Sequence, residues 1–290
     1  MGMEWEAKLS QGPIAVSETI VRTRTLQAEP GSPPGVELFT FVSEACRASG
    51  FSTGLAKFEP SACLPYHLHS FSEAVTIVAG RARFLVEGRA YRLHPRDCMH
   101  VPAGVAHLVQ NEDPESPLIA HWAFATATPS RELTDQEFYV EERGDANSRY
   151  GDPERLVRFD SGAVYELSQD AFFIDLFARR FGAVGICGGH GRFLPGASLP
   201  CHIHDFDESI TIVGGSAVCL VQGKRYELSD CDTAFIPRGI PHRFLNQSNG
   251  EMAMIWVYAG NEPDRRIVAS GYCSGEVAWP GAALTQGEKD

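Results

Sequence analysis

The chain has 290 residues, 43% of them apolar and 10% aromatic, enough for one large globular domain or two of ordinary size with buried cores. Its net charge of -12, with no cluster of Lys and Arg, excludes a binder of phosphate backbones, so no nucleic acid partner is expected. No stretch approaches the roughly 20 uninterrupted apolar residues of a membrane helix, so no membrane association is expected either.

Residues 1–40 read as an N-terminal arm with one or two strands and a loop through "AEPGSPPG". The opening "MGMEWEAKLSQGP" lacks a basic region followed by an apolar run, and Glu6 stands where a myristoylation motif requires Ser or Thr, so neither export nor acylation is expected. Residues 41–126 read as β structure: "AVTIVAG", "ARFLVEG", "RAYRL" and "LIAHWAFA" are short runs of strand formers broken by turn residues. "VEGRAY", and later "VQGKRY", has the form of a hairpin whose glycine adopts a positive φ. Residues 127–155 are polar and poor in branched apolar side chains, and are expected to form a linker. A second β domain spans 156–270, with a tail at 271–290. One segment departs from the β pattern: in "SQDAFFIDLFARRFG", Ser168 or Asp170 in a cap position, apolar residues at helical spacing and Gly182 predict a helix, although the alternation also suits a strand.

Eight cysteines (Cys46, Cys63, Cys98, Cys187, Cys201, Cys219, Cys231, Cys273) form no C-x-x-C pair and lack the density of a disulfide scaffold. They read as free thiols acting as small apolar residues in a reducing cytoplasm.

The two β domains are copies of each other. At an offset of 135 residues "LPYHLHSFSEAVTIVAGRARFLVEGRAYRL" aligns without a gap on "LPCHIHDFDESITIVGGSAVCLVQGKRYEL", and Pro102, Gly104, His107 and Asn111 fall on Pro237, Gly239, His242 and Asn246. That period is too long for a solenoid and corresponds to a whole domain. In a strand, alternate side chains share a face, so His67 and His69 project to one side. Past a turn through "SFS", Glu73 returns a carboxylate to the same point, and His107 follows a turn shaped by "PAGVA". His202, His204, Glu208 and His242 repeat the arrangement. Three neutral imidazoles and a carboxylate suit a first-row divalent ion and, in six-coordinate geometry, leave two positions open. A lone histidine is more often a structural residue. Here six of the chain's 10 histidines occupy one repeated pattern, which that reading does not explain.

"HLHSFSEAVTIVAG" and "HIHDFDESITIVGG" resemble the first cupin motif, H-x-H-x3-E-x6-G, and "PAGVAHLVQN" and "PRGIPHRFLN" resemble the second, P-x-G-x2-H-x3-N. Over about residues 50–126 and 185–260 the chain resembles a bicupin. The resemblance implies an all-β fold of two double-stranded β-helix (jelly-roll) barrels in tandem, each with a metal in its mouth. Its metal ligands would be His67, His69, Glu73 and His107, then His202, His204, Glu208 and His242. Two divalent transition metals per chain are expected, Fe(II) first, with Mn, Ni, Zn, Co or Cu also compatible. The glycine that usually opens the first motif is Ser61 in the first copy and Gly196 in the second, and the glycine opening the second motif is Arg96 and Cys231. These departures concern turn geometry and leave the ligand set intact.

Cupins include dioxygenases, decarboxylases, isomerases, sugar-binding modules and storage proteins, so the site decides the chemistry. Two complete ligand sets argue against storage. Oxalate decarboxylases carry an arginine three residues before the first histidine, where Leu64 and Leu199 stand here, which disfavours that activity. The leading expectation is a dioxygenase acting on a small enolisable or hydroxylated carbonyl or aromatic compound, with O2 as co-substrate and Glu73 or Glu208 as general base. The alternatives are a redox-silent, metal-dependent isomerase or lyase, and a protein binding a small acid or sugar derivative without turnover. Lys57 and Arg192 align on the strand before the first motif and are candidates to hold a substrate carboxylate, as are His100 and His121 for the first pocket. Trp122 and Trp256 read as barrel core. Exposed barrel edges make a homodimer an expected assembly.

Overall fold

The computed structural model describes residues 17–280, so the expectations for the opening residues and for the end of the tail lie outside the described part. Two barrels, each of two facing sheets, account for nearly all of it. In the first barrel the larger-faced sheet runs, in hydrogen-bonded order, Arg155–Val157, Cys98–Val101, Glu73–Ala79, Leu118–Phe124, Ser52–Phe58, Val36–Val42. The opposing sheet runs Glu132–Leu133, Cys63–Leu68, His107–Asn111, Ala82–Val86, Arg89–Leu93, Glu141–Gly144. In the second barrel Thr19–Val21, Thr233–Ile236, Glu208–Gly214, Met252–Tyr258, Cys187–Phe193, Ala171–Phe177 and Val164–Ser168 face Lys224–Ser229, Ser216–Val221, His242–Leu245, His202–Ile203 and Arg266–Ile267.

Strand alternation divides the apolar residues between three cores. Val75, Ile77, Ala120 and Trp122 fill the first barrel, and Ile210, Ile212, Met254 and Trp256 the second. Their neighbours on the opposite faces, among them Leu55, Ala74, Ile174, Leu176, Phe235 and Ile255, form a third core where the outer faces of the two large sheets meet. At about 1.5–3 kcal/mol for each large apolar side chain removed from water, this third core makes the pair of barrels one structural unit. The barrels also exchange strands. Thr19–Val21, in the arm ahead of the first barrel, pairs with Thr233–Ile236 of the second, and Arg155–Val157, ahead of the second barrel, pairs with Cys98–Val101 of the first. Each exchanged strand is followed directly by an arginine bound to an aspartate of the barrel it joins: Arg22 to Asp232 at 2.6 Å and Arg158 to Asp97 at 2.7 Å.

Both hairpins form as the sequence predicts. Glu87 and Gly88 (φ 44° and 87°), like Gln222 and Gly223 (φ 47° and 84°), take the two successive positive φ values of a type I′ turn. The replaced motif glycines keep the same backbone: Ser61 (φ 62°) matches Gly196 (φ 84°), and Arg96 and Cys231 lie at φ 76° and 66°. The fold therefore imposes the left-handed turn on non-glycine residues, at a cost of roughly 1–2 kcal/mol each.

Two expectations are corrected. The segment predicted as a helix is the strand Ala171–Phe177, followed by a single 3-10 turn, Arg179–Phe181, that Gly182 closes at φ 93°. Its strand is covered on both faces, Phe173 by the second barrel's interior and Ile174 and Leu176 by the inter-barrel core, so apolar residues on both faces imitated a helical period. Not all cysteines are free thiols: Cys201 and Cys273 form a disulfide with Cα atoms 5.9 Å apart, while the other six are unpaired. A separation of 72 residues leaves no spacing signal for that pair. Among the described residues no helix is long and apolar enough to cross a membrane.

Candidate metal centres

In each barrel the small sheet supplies three imidazoles and the large sheet one carboxylate. His67 and His107 are direct cross-strand partners, as are His202 and His242. His69 and His204 follow immediately after the ligand strand, where the amides of Gly104 and Gly239 donate to their carbonyls at 2.7 and 2.8 Å. Glu73 and Glu208 open the central strands of the large sheets. The second motif's asparagines hold the adjoining loops: Asn111 Nδ2 donates to the Ser116 carbonyl at 2.8 Å, and Asn246 Nδ2 to that of Gly250 at 2.7 Å.

The ligand atoms of each cluster lie within 4.8 Å of one another, and all eight residues are buried. The two clusters nearly superimpose in their internal geometry. Glu73 Oε2 lies 2.6 Å from His107 Nε2 and 3.4 Å from His69 Nε2, and Glu208 Oε2 lies 2.6 Å from His242 Nε2 and 3.5 Å from His204 Nε2.

The chemistry of the donors fits a divalent ion. Every imidazole uses Nδ1 against a backbone carbonyl: His67 with Pro65 (2.8 Å), His107 with Val105 (3.0 Å), His202 with Pro200 (2.8 Å), His242 with Ile240 (2.8 Å), His69 with Ser130 and His204 with Asp264. A proton held at Nδ1 leaves the Nε2 lone pair aimed at the centre, the tautomer a metal requires. His69, His107, His204 and His242 Nε2, with Glu73 and Glu208 Oε2, are buried and have no hydrogen-bond partner. Each such orphan costs on the order of 1–3 kcal/mol, which a shared cation removes. Burial, with the neighbouring His107, pushes the His67 imidazole down to about 3, and burial with His242 puts His202 well below its usual value, so both stay neutral. Burial alone raises a carboxyl, but the His242 and His204 imidazoles outweigh it at Glu208 and hold that group near about 2. His107 and His69 likewise keep Glu73 well below the usual carboxylate range. At His69 burial is outweighed by the Glu73 carboxylate, which raises the imidazole, so it is the Nδ1 hydrogen bond that sets the donor tautomer there. Three imidazoles and one ionised carboxylate thus form each of two metal sites.

What surrounds the clusters differs. A cavity of about 250 Å³ in the first barrel opens onto His67, His69 and Glu73, and is walled by Leu38, Phe58, Leu64, Val109, Ala120 and Trp122 among others. Gly54 leaves room for Trp122, since an added Cβ would come within 2.1 Å of the indole. In the second barrel Phe173, Phe244 and Met254 occupy the places of Leu38, Val109 and Ala120, and all three are packed in that barrel's core. Gly191 and Cys219 are smaller than their counterparts Ala56 and Phe84, but Gly191 makes room for Phe173, whose ring would lie 2.9 Å from an added Cβ.

The substrate-binding candidates face away from this cavity. Phe58 and Ala56 point inward, so Lys57 points out and pairs with Glu37 at 3.3 Å. Arg192 likewise pairs with Glu251 at 3.4 Å and lies over the Phe172 ring. His100 and His121 sit on the outer face of the large sheet, opposite Ala74 and Thr76. His121 Nε2 meets Thr211 Oγ1 of the second barrel at 3.3 Å, and both ring nitrogens of His100 lack a partner. Trp122 forms part of the chamber wall and Trp256 is core.

One element of the site was missed from sequence. The chain leaving each barrel crosses back over its mouth as a strap: Glu132–Leu133 pairs with Leu68 and His67, and Arg266–Ile267 with Ile203 and His202. The carbonyls that orient His69 and His204 belong to these straps. The signal was present as a third repeat, "PSREL" at 129–133 against "PDRRI" at 263–267, hidden in a stretch that otherwise reads as linker.

The sequence matches the Cupin domain family twice, over residues 54–124 and 189–258. The chain is a bicupin of the cupin superfamily. Among solved structures this bicupin is similar to Lactobacillus farciminis oxalate decarboxylase in a formate complex, at 15% identity and a TM-score of 0.68, covering 89% of this chain and 90% of that one. It is also similar to Bacillus subtilis oxalate decarboxylase at 14% identity and a TM-score of 0.67, covering 89% and 79% of the two chains. Another structure of that enzyme, at 14% identity, a TM-score of 0.67 and coverage of 89% and 80%, concerns its Mn(II) centres. At such identities the likeness establishes the shared fold. A comparison of the sequence with curated proteins found no match.

Proposed function

We propose that this bicupin is a metal-dependent enzyme whose working chamber is the first barrel, and that it is a dioxygenase acting on a small enolisable or hydroxylated carbonyl or aromatic compound. The observation that carries the reading is the cavity of about 250 Å³ that opens onto His67, His69 and Glu73. Fe(II) is the first candidate ion and Mn(II) the second. His67, His69, His107 and Glu73 would hold the divalent ion, which when bound would supply Lewis acidity toward a carbonyl oxygen and reactivity toward O2. Pro65, Val105 and the strap carbonyl of Ser130 fix the three imidazoles in the tautomer that holds the ion. Leu38, Phe58, Val109 and Trp122 exclude water from the bound compound. Glu73, buried beside the reacting position, is the group proposed to take the proton lost on enolisation. The six unpaired cysteines favour a reducing, cytoplasmic location, and the Cys201–Cys273 disulfide weighs against it.

A redox-silent lyase or isomerase is the second reading, favoured by the likeness to oxalate decarboxylases. Oxalate itself fits poorly: Leu64 lines the cavity where those enzymes place an arginine, and a small dianion there would face Val75, Val109 and Trp122. Oxygen consumption by protein loaded anaerobically with Fe(II) or Mn(II), against a panel of β-diketones and hydroxylated aryl ketones, separates the readings. Substrate-dependent uptake is expected. Product formed equally fast without oxygen would overturn the dioxygenase in favour of the lyase or isomerase, and binding with no product would leave a carrier.

A further inference from the structure

The chamber has one cationic group at its mouth, and it belongs to the strap. Arg131 lines the cavity beside Pro129 and Ser130, its side chain is exposed, and among the described residues no carboxylate forms an ion pair with it. Glu29, which also lines the mouth, instead accepts a hydrogen bond from the Thr40 hydroxyl. The backbone carrying Arg131 is held on both sides. The Ser130 carbonyl accepts the Nδ1 proton of His69, Glu132 and Leu133 pair with Leu68 and His67, and the Thr134 amide donates to the Tyr66 carbonyl at 3.1 Å. The guanidinium therefore starts from a point fixed relative to the metal ligands. Apart from the metal ligands, Glu29, Ser130 and Arg131 itself, the residues lining the chamber are apolar, Leu38, Phe58, Val109, Ala120 and Trp122 among them.

A chamber with a metal at one end, apolar walls and an unpaired guanidinium at the mouth is complementary to an apolar acid. We propose that Arg131 binds the carboxylate of such a substrate and is the residue that selects it, an inference that rests on the first barrel being the working chamber. Because a cavity of roughly 150 Å³ accommodates benzene, the chamber's 250 Å³ suits a single ring with a short acid arm. The fork of a guanidinium matches a carboxylate in two parallel hydrogen bonds, which a primary amide cannot reproduce. The second barrel places Arg265 at the same point of its strap, but Phe173, Phe244 and Met254 fill the space that such a body would need.

Calorimetric titration of 3-phenylpropanoate and 3-phenylpropanamide into the Zn(II)-loaded full chain tests this. The wild type should prefer the acid on the order of ten-fold or more, about the value of one charge-assisted hydrogen bond. Arg131→Gln should abolish the preference, Arg131→Lys should restore part of it, and Arg265→Gln should leave it unchanged, with metal content equal in all four proteins. An acid preference that survives Arg131→Gln would show the carboxylate bound to the metal and overturn the inference. So would equal affinity for acid and amide, or no binding of either. None of these results touches the dioxygenase reading, which stands or falls on oxygen uptake.

Discussion

His121 should make the joint between the barrels sensitive to acid. Its ring is 1% exposed, and burial pushes its pKa down to about 3. In the unfolded chain the same group titrates near about 6.5. The folded value is the depressed one, so as pH falls the unfolded chain takes up the proton first. The stability contributed by neutral His121 is complete above about pH 6.5 and is lost progressively as pH falls from there toward 3. At pH 5 the gap below the unfolded value is about 1.5 units, which at about 1.4 kcal/mol per unit is a loss of about 2 kcal/mol. His100 and His190, also buried at this joint and pushed down to about 4, mainly by burial, add losses of similar size. Together they approach the whole stability of an ordinary domain, about 5–15 kcal/mol.

The direct test is His121→Leu, which cannot take a proton. It leaves no orphan, because Thr211 Oγ1 retains its hydrogen bond with Thr233 at 2.8 Å. Urea unfolding of the metal-saturated wild type and variant at pH 8 and pH 5 gives two losses of stability. Protonation of the metal ligands contributes to both and cancels in the difference. The wild type should lose about 2 kcal/mol more than the variant between the two pH values. Equal losses would show that His121 is not held neutral by its burial.

Elemental analysis of the reconstituted wild type should find two ions per chain, and His67→Ala and His202→Ala should each remove about one, independently, because the clusters lie in separate barrels. A wild type that holds no more than one ion refutes the two-site reading. Importing the second barrel's bulk into the first by Ala120→Met and Val109→Phe should abolish substrate-dependent turnover while leaving metal content intact, at a stability cost of about 1–3 kcal/mol from overpacking. Undiminished turnover in that variant, measured by the same oxygen or product assay, would place the chemistry outside the first chamber.

The ligand clusters were legible because the sequence states them twice and because strand alternation converts H-x-H into two rings on one face. The orientation of the other candidates was not. In a sheet with one wet face, the polar residues mark the outside, but here both faces of each large sheet are buried. His121 sits between Ala120 and Trp122 with no hydrophilic neighbour to show that it points toward the other barrel. The same double burial disguised Ala171–Phe177 as a helix. Its first-copy counterpart Val36–Val42 also runs into a 3-10 turn, Glu44–Cys46, closed by Arg47 at φ 64°, so extending the repeat upstream carries the strand assignment across. The strap was obscured differently: its strand is two residues long and exposed, and what identifies it is its pairing with the ligand strand.

Metal binding and substrate choice are written on different parts of the barrel, which explains why the motifs reveal one and not the other. The imidazoles come from Cys63–Leu68, the residue after it and His107–Asn111 of the small sheet, where backbone carbonyls at short range fix their tautomers. The chamber walls come mainly from Val36–Val42, Ser52–Phe58 and Leu118–Phe124 of the large sheet, where one apolar residue replaces another without disturbing a ligand. Leu38 and Ala120 against Phe173 and Met254 are such exchanges, and Val109 against Phe244 is a third on the small sheet, two residues beyond a ligand histidine; each is conservative in polarity and large in volume. An apolar-for-apolar change costs little in folding if neighbours adjust, as Gly191 does for Phe173. It decides, however, whether a ring can stand beside the metal. Two copies thus keep the same ligand set and diverge in the space beside it, and the side-chain volumes of the barrel walls, chiefly on the large sheet, are where that divergence is recorded.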